Sequence, residues 1–164
     1  MKDGEFDDKS ELQKIMNIMG LQSGVDYSVE SNRKTLRYGH ILIASDYDVD
    51  GFHIKGLLIN FVHHYWPVLL DAGLLQEFIT PIIMAEVQNE PEGRRGTTWK
   101  EFFSEADFAD YRDTHTVRSV KYFKGLGTFQ ERDQARIGAH FKDYIKQIVW
   151  SNKDLEKKYI DILF

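Results

Sequence analysis

The 164-residue chain has no cysteine, which excludes disulfide frameworks, thiolate zinc sites and cysteine nucleophiles. It has no apolar run near the roughly 20 residues needed to span a bilayer. The acidic start, Met1-Lys2-Asp3-Gly4-Glu5, lacks the apolar stretch of a secretory signal. Excess positive charge is also missing. The net charge is −5, which argues against a nonspecific nucleic-acid coat. What is present is ordinary for a folded protein: 42% hydrophobic, 29% charged and 13% aromatic residues, a balance that excludes a wholly disordered chain, a collagen and a low-complexity protein. At this length about two-thirds of the unfolded surface can be buried, enough for one core.

The charge is segregated. Arg112 to Lys146 carries eight basic and four acidic residues, a local net of +4 in an acidic chain. That permits a local phosphate contact, and a solvated helix face explains it equally well.

Local signals predict an α/β order. Residues 1–9 read as a tail. Ser10 and Gln13 form a capping pair, Leu12, Ile15, Met16 and Met19 recur at helical spacing, and Gly20 can close the helix. Residues 22–35 read as loop. The continuous apolar run 40–45 suits a strand covered on both faces, as in a parallel sheet flanked by helices. An acidic turn follows, then an apolar helix from about Phe52 to Leu70 that Pro67 bends or ends. Residues 76–87 read as a strand that Pro81 interrupts. A hairpin-like connection over 89–96 leads to a short strand over 99–103. Ser104 and Asp107 cap a helix to about Tyr111, and 117–123 is a further strand. After the turn Lys124-Gly125-Leu126-Gly127-Thr128, residues 129–164 read as mostly helical.

Asp46-Tyr47-Asp48-Val49-Asp50-Gly51 is the most informative stretch. On an extended segment, residues i, i+2 and i+4 project to one side, so three short carboxylates would converge. Unrelieved, each pair about 5 Å apart would cost roughly 3 kcal/mol at an effective dielectric near 20. A divalent cation removes that cost, and carboxylate-plus-water ligation is what Mg²⁺ prefers. The end of a strand is also where open α/β sheets place ligands. The pattern begins like an EF-hand loop, but position twelve is Leu57 rather than Glu and a strand, not a helix, precedes it. An acidic surface turn without a metal is the plain alternative.

The turn at 124–128 can present amides and a lysine to phosphate, but it is no Walker A loop. Taken alone, a tight turn using Gly for positive φ explains it. His63 and His64 read as packing or surface residues. His53 and Lys55, just past the acidic turn, are better placed to meet a substrate phosphate, although a solvated lysine explains Lys55.

The stretch from Asp46 to Phe61, with His63-His64 and Trp66-Pro67 behind it, resembles the Toprim domain of type IIA DNA topoisomerases. So do Leu36-Arg37-Tyr38-Gly39, Glu77-Phe78-Ile79-Thr80-Pro81 and Lys121-Tyr122-Phe123-Lys124-Gly125-Leu126-Gly127-Thr128, in order and at family spacing. The pattern is similar to the eukaryotic, viral and phage branch. Ser45, Tyr47, Val49 and Phe52 stand where that family usually has Thr, Gln, Gln and Ser. The family's Glu-Gly-Asp-Ser-Ala and Pro-Leu-Arg-Gly-Lys segments do not occur in these residues, and 88–98 and 129–150 match only loosely.

The resemblance implies a Rossmann-like α/β Toprim domain with a mainly parallel central sheet. It would be a single partial domain over 1–164, with a disordered tail at 1–9 and a helical segment at 129–164. It implies the metal-binding component of an ATP-dependent type II topoisomerase, supporting Mg²⁺-assisted double-strand cleavage and religation. Asp46, Asp48 and Asp50 would be the metal and catalytic residues, with Lys124 beside them. His53, Lys55, Lys124, Gly125 and Gly127 would face DNA. The attacking tyrosine, a partnering Glu and the ATPase would come from other domains or subunits, within a dimer acting on double-stranded DNA. The isolated chain is expected to be inactive. It would reside with DNA, in the nucleus or, for a virus or phage, in the host cytoplasm or nucleoid. It would be neither secreted nor membrane-bound. A primase or nuclease of the same superfamily, or an inactive DNA-binding or scaffold module, is the alternative.

Overall fold

The computed structural model describes residues 10–88, 97–150 and 152–163. Its elements are α1 (Glu11–Met19), α2 (Glu30–Arg33), β1 (Ile41–Ile43), α3 (Val49–Tyr65), α4 (Pro67–Asp71), β2 (Leu75–Phe78), β3 (Ile83–Gln88), β4 (Thr97–Phe102), α5 (Glu105–Thr114), β5 (Val117–Tyr122), α6 (Glu131–Ala139), β6 (Ile145–Gln147) and α7 (Lys153–Leu163). Short 3₁₀ turns occupy Leu126–Thr128 and Phe141–Tyr144. Two three-stranded sheets form, in the orders β1-β2-β6 and β4-β3-β5. The α/β class expected from the sequence holds. The expected tail over 1–9 and the connection over 89–96 lie outside the described residues. Among the described residues no helix is long and apolar enough to cross a membrane.

The chain divides into two compact units. The first comprises Met1–Ile43, Lys55–Gln76 and Gln147–Phe164. Here Ser10 accepts a hydrogen bond from the Gln13 amide, and Gly20 closes α1 at φ 78°, a left-handed conformation that glycine adopts without strain. Met16 and Met19 on α1 join Tyr27, Phe61, Trp66 and Leu75 in one buried cluster. Trp66 stands at the break between α3 and α4, and its indole N–H donates to the Gln22 carbonyl at 3.1 Å. Pro67 opens α4, where a missing amide costs nothing. His63 packs edge-on to Trp150, the packing role expected of it. Asp71 accepts hydrogen bonds from Lys153 at 2.6 Å and from Trp150 at 2.8 Å. The Lys153 ammonium holds the Asp71 carboxyl below the usual carboxylate range, although burial opposes it.

The second unit comprises Ala44–Ile54 and Glu77–Lys146. Its sheet is antiparallel, with β3 between β4 and β5: Ile83 pairs with Phe102 on one side and Tyr122 on the other. The register on the β5 side shifts between Glu86 and Val87. The edges of β3 are paired on both sides, and its two faces are covered as well. Ile83, Ala85, Val87, Phe102 and Phe108 pack on one, while Met84 joins Phe123, Phe129, Ile137 and Tyr144 on the other. Ser104 caps α5 through the Asp107 amide at 3.1 Å, and the helix runs past Tyr111 to Thr114.

The structure differs from the sequence reading at several places. The strand read over 40–45 is shorter, Ile41–Ile43, and the sheet of the second unit is antiparallel where parallel pairing was expected. The loop over 22–35 contains the short helix α2. The region 129–164 contains the strand β6 between helices. Helix α3 starts at Val49 rather than Phe52, which changes the geometry of the acidic turn.

Candidate functional site

The acidic turn begins just past the end of β1 and is continued by α3. Asp48 immediately precedes the helix. Its carboxylate accepts a hydrogen bond from the Gly51 amide at 2.7 Å, and its carbonyl accepts the first helical bond, from Phe52, at 3.0 Å. Asp48 therefore caps the helix, a role for which Asp is among the preferred residues. Asp50 lies in the first helical turn, where a negative charge meets the positive end of the helix dipole. The alternation expected of an extended segment thus ends at Asp48. Beyond it successive residues turn by about 100° along the helix. Among the described residues no group of three or more His, Asp or Glu side chains is assembled for a metal ion.

Gly51 is required by space. A Cβ at this position would collide with the Asp46 carbonyl oxygen and lie 3.3 Å from Asp48 Oδ1. Asp46 itself makes a long-range approach. A Cβ at Gly125 would stand 2.6–2.8 Å from the three carboxyl atoms of Asp46, so the carboxylate lies directly on the glycine α-carbon. The φ of Gly125 is −173°, extended backbone open to any residue. Among the described residues positive φ occurs only at Gly20, Gly24 and Gly73. The positive-φ explanation of the 124–128 turn is therefore replaced by one of space: glycine at 125 admits the Asp46 carboxylate. Nothing lies within 4 Å of a Cβ at Gly127.

Asp46, Asp48, Asp50, His53 and Lys124 are all exposed, and Lys55 is half-buried. Lys124 makes no ion pair with a described residue, which leaves its ammonium available beside the Asp46 contact. Exposed Tyr47 and Phe52 meet edge to face at 5.0 Å between Asp46 and His53. The oxygen-only donor set suits a hard cation: Mg²⁺ commonly takes one or two carboxylates and keeps several waters, so full convergence of three aspartates is unnecessary. Carboxylate oxygen is the donor type that Mg²⁺ takes.

A polar network under the antiparallel sheet was not foreseen. Lys121 donates to both carboxylate oxygens of buried Asp133, at 3.0 and 3.2 Å, and its ammonium stands 4.8 Å from the centre of the Trp99 ring. Arg136 pairs with Glu101 at 3.2 Å and donates to the Trp99 carbonyl at 3.0 Å. The Tyr144 hydroxyl donates to Glu101 at 2.8–2.9 Å. Burial, reinforced by the Glu101 carboxylate, pushes the Tyr144 phenol up to about 12. No spacing rule pairs these residues, since their elements meet only through the fold.

Comparison with known proteins shows what the chain as a whole resembles. The family described as the C-terminal associated domain of TOPRIM matches residues 78–164. Over 150 residues, 90% of the chain, it is 41% identical to DNA topoisomerase 2-alpha of Rattus norvegicus, and it covers 9% of that protein. DNA topoisomerase 2 of Drosophila melanogaster is 40% identical over 145 residues, 81% of the chain and 10% of the relative. The chain thus spans about a tenth of these relatives' length. A solved Plasmodium falciparum topoisomerase II DNA-binding, cleavage and re-ligation domain superposes with a TM-score of 0.77 at 34% identity. The match covers 99% of this chain and 22% of that one.

Proposed function

The chain belongs to the type II DNA topoisomerase family, to its Toprim region, and from that premise we propose that it supplies the metal-binding part of a DNA cleavage and religation centre. The observation that carries the reading is the contact of the Asp46 carboxylate with Gly125. The two motifs that sequence reasoning singled out separately come together there. An acidic turn serving only as a solvated loop has no need of a distant glycine cut to its shape.

In this reading Asp46, Asp48 and Asp50 are the residues that would hold Mg²⁺. When bound, the cation supplies electrostatic stabilisation to the charge that develops on a phosphate and its leaving oxygen. The chain's own residues do the positioning. Gly125 holds the Asp46 carboxylate at the turn, and the Gly51 amide orients Asp48. Asp50 adds negative charge at the start of α3. The exposed ammonium of Lys124 contacts a backbone phosphate, and the open space at Gly127 lets the strand approach closely. His53 and Lys55 extend the contact along the first turns of α3.

The substrate is double-stranded DNA. The tyrosine nucleophile, a partnering Glu and ATP hydrolysis come from other domains or subunits of a dimeric enzyme, and the chain contributes most of one Toprim domain. Such a component resides with DNA, in the nucleus of a eukaryotic source.

The test is reconstitution. The chain is mixed with its candidate partner domains, supercoiled plasmid, Mg²⁺ and ATP. Relaxation that requires the partners and disappears with Asp46→Asn is expected. Relaxation by the chain alone, free of contaminating enzyme, would overturn the assignment of the nucleophile to a partner. Full activity with Asp46→Asn would overturn the metal site.

A further inference from the structure

Within the second unit a cavity of about 320 Å³ is lined by Met84, Trp99, Lys121, Arg132, Asp133 and Arg136. That volume lies at the small end of ligand pockets, which span roughly 300–1,000 Å³. Its acceptors are already engaged: both Asp133 oxygens take Lys121, and the Trp99 carbonyl takes Arg136. Its donors are not exhausted. Arg132 is exposed and forms no ion pair with a described residue, and the Trp99 indole N–H has no acceptor among them. Three cations face one carboxylate in the lining, and Glu101 behind it is held by Arg136 and Tyr144. A wall with spare donors and surplus positive charge, whose acceptors each already take a donor, favours an acceptor-rich anion. Guanidinium matches the oxygens of such an anion in pairs.

We propose that this cavity binds a phosphate ester, with Arg132 and the Trp99 indole N–H as its direct contacts. The Lys121–Asp133 pair, of which Asp133 is buried, and the Arg136–Glu101 pair are positioning groups of the walls. The choice of phosphate over another anion rests on the proposed function, in which the ligand is a backbone phosphate of duplex DNA away from the Asp46 site. A free nucleotide offers the same chemistry.

The probe is the Trp99 indole resonance in a ¹H–¹⁵N spectrum of the full chain, assigned with Trp99→Phe. The chain has three tryptophans, so Trp66 and Trp150 serve as internal controls of folding. A short DNA duplex, inorganic phosphate and polyglutamate are titrated separately. The duplex is expected to shift the Trp99 signal. Arg132→Ala should abolish that shift, leave the other two indoles in place, and lower the salt slope of duplex binding by about one unit. A response to the duplex but not to phosphate identifies the backbone as the source. A response to both admits free phosphate esters. A response to neither, one to polyglutamate alone, or a duplex shift that survives Arg132→Ala overturns the proposal. Cleavage that depends on Asp46 is read separately, so the pocket and the cleavage centre can each fail alone.

Discussion

The carboxylate of Asp46 rests on the α-carbon of Gly125, too close for any side chain to stand between them. That contact joins the acidic turn at the head of α3 to the glycine-rich turn after β5. It also makes the two glycines of the latter turn unequal, because Gly127 has open space around it.

Gly125→Ala is therefore expected to displace Asp46 and lower DNA cleavage by the reconstituted enzyme about a hundredfold, the scale set by an ångström of misplacement. Gly127→Ala should stay near wild type. Cleavage-complex yield for both variants, with melting temperatures to confirm folding, checks this. Equal loss in both would mean that the turn acts through its flexibility rather than through the Asp46 contact.

Asp46→Asn removes a charge while keeping the side chain's size. Loss of one electrostatic stabiliser of this kind raises the barrier by about 3–4 kcal/mol, a few hundredfold in rate. Duplex affinity should change little. Single-turnover cleavage and binding by anisotropy separate the two effects, and an equal fall in both would recast Asp46 as part of the binding surface.

The Lys121–Asp133 pair predicts an asymmetric response. Asp133 is buried, whereas Lys121 is about one-third exposed. Lys121→Met leaves a buried carboxylate without its counter-charge and is expected to cost about 3 kcal/mol. Asp133→Ala leaves a lysine that can reach water, and should cost about half as much. Urea denaturation midpoints of the two variants decide it. A larger cost for Asp133→Ala would place the stabilisation in packing rather than charge.

Tyr144 makes stability fall at high pH. Its phenol is raised from 10.0 to about 12 in the folded chain, chiefly by burial. Between those values the unfolded chain has lost the proton that the folded chain keeps. The contribution is thus full below pH 10 and lost as pH rises towards 12. Tyr144→Phe should flatten that decline relative to the parent. Parallel denaturation curves across the interval, with tyrosinate absorbance as the titration signal, test the sign. An identical decline in the variant would assign the effect to other groups.

Local signals in the sequence determined much of this protein. The caps at Ser10 and Ser104, the turn at Gly20, the break at Pro67 and the interruption at Pro81 involve residues a few positions apart, and their hydrogen bonds or steric limits are complete within one turn. The acidic and glycine-rich motifs were likewise legible as motifs. The start of α3 was misplaced because Asp48 offers both a capping oxygen and a metal-ligand oxygen, and alternation along the chain cannot say which is used. Only the tertiary structure decided that Asp46 meets Gly125, that β3 lies between β4 and β5, and that Lys121 and Arg136 find Asp133 and Glu101. Those relationships join segments far apart in the chain. They depend on which apolar faces bury against each other, and a linear pattern of residue types does not specify which of the possible partners will meet.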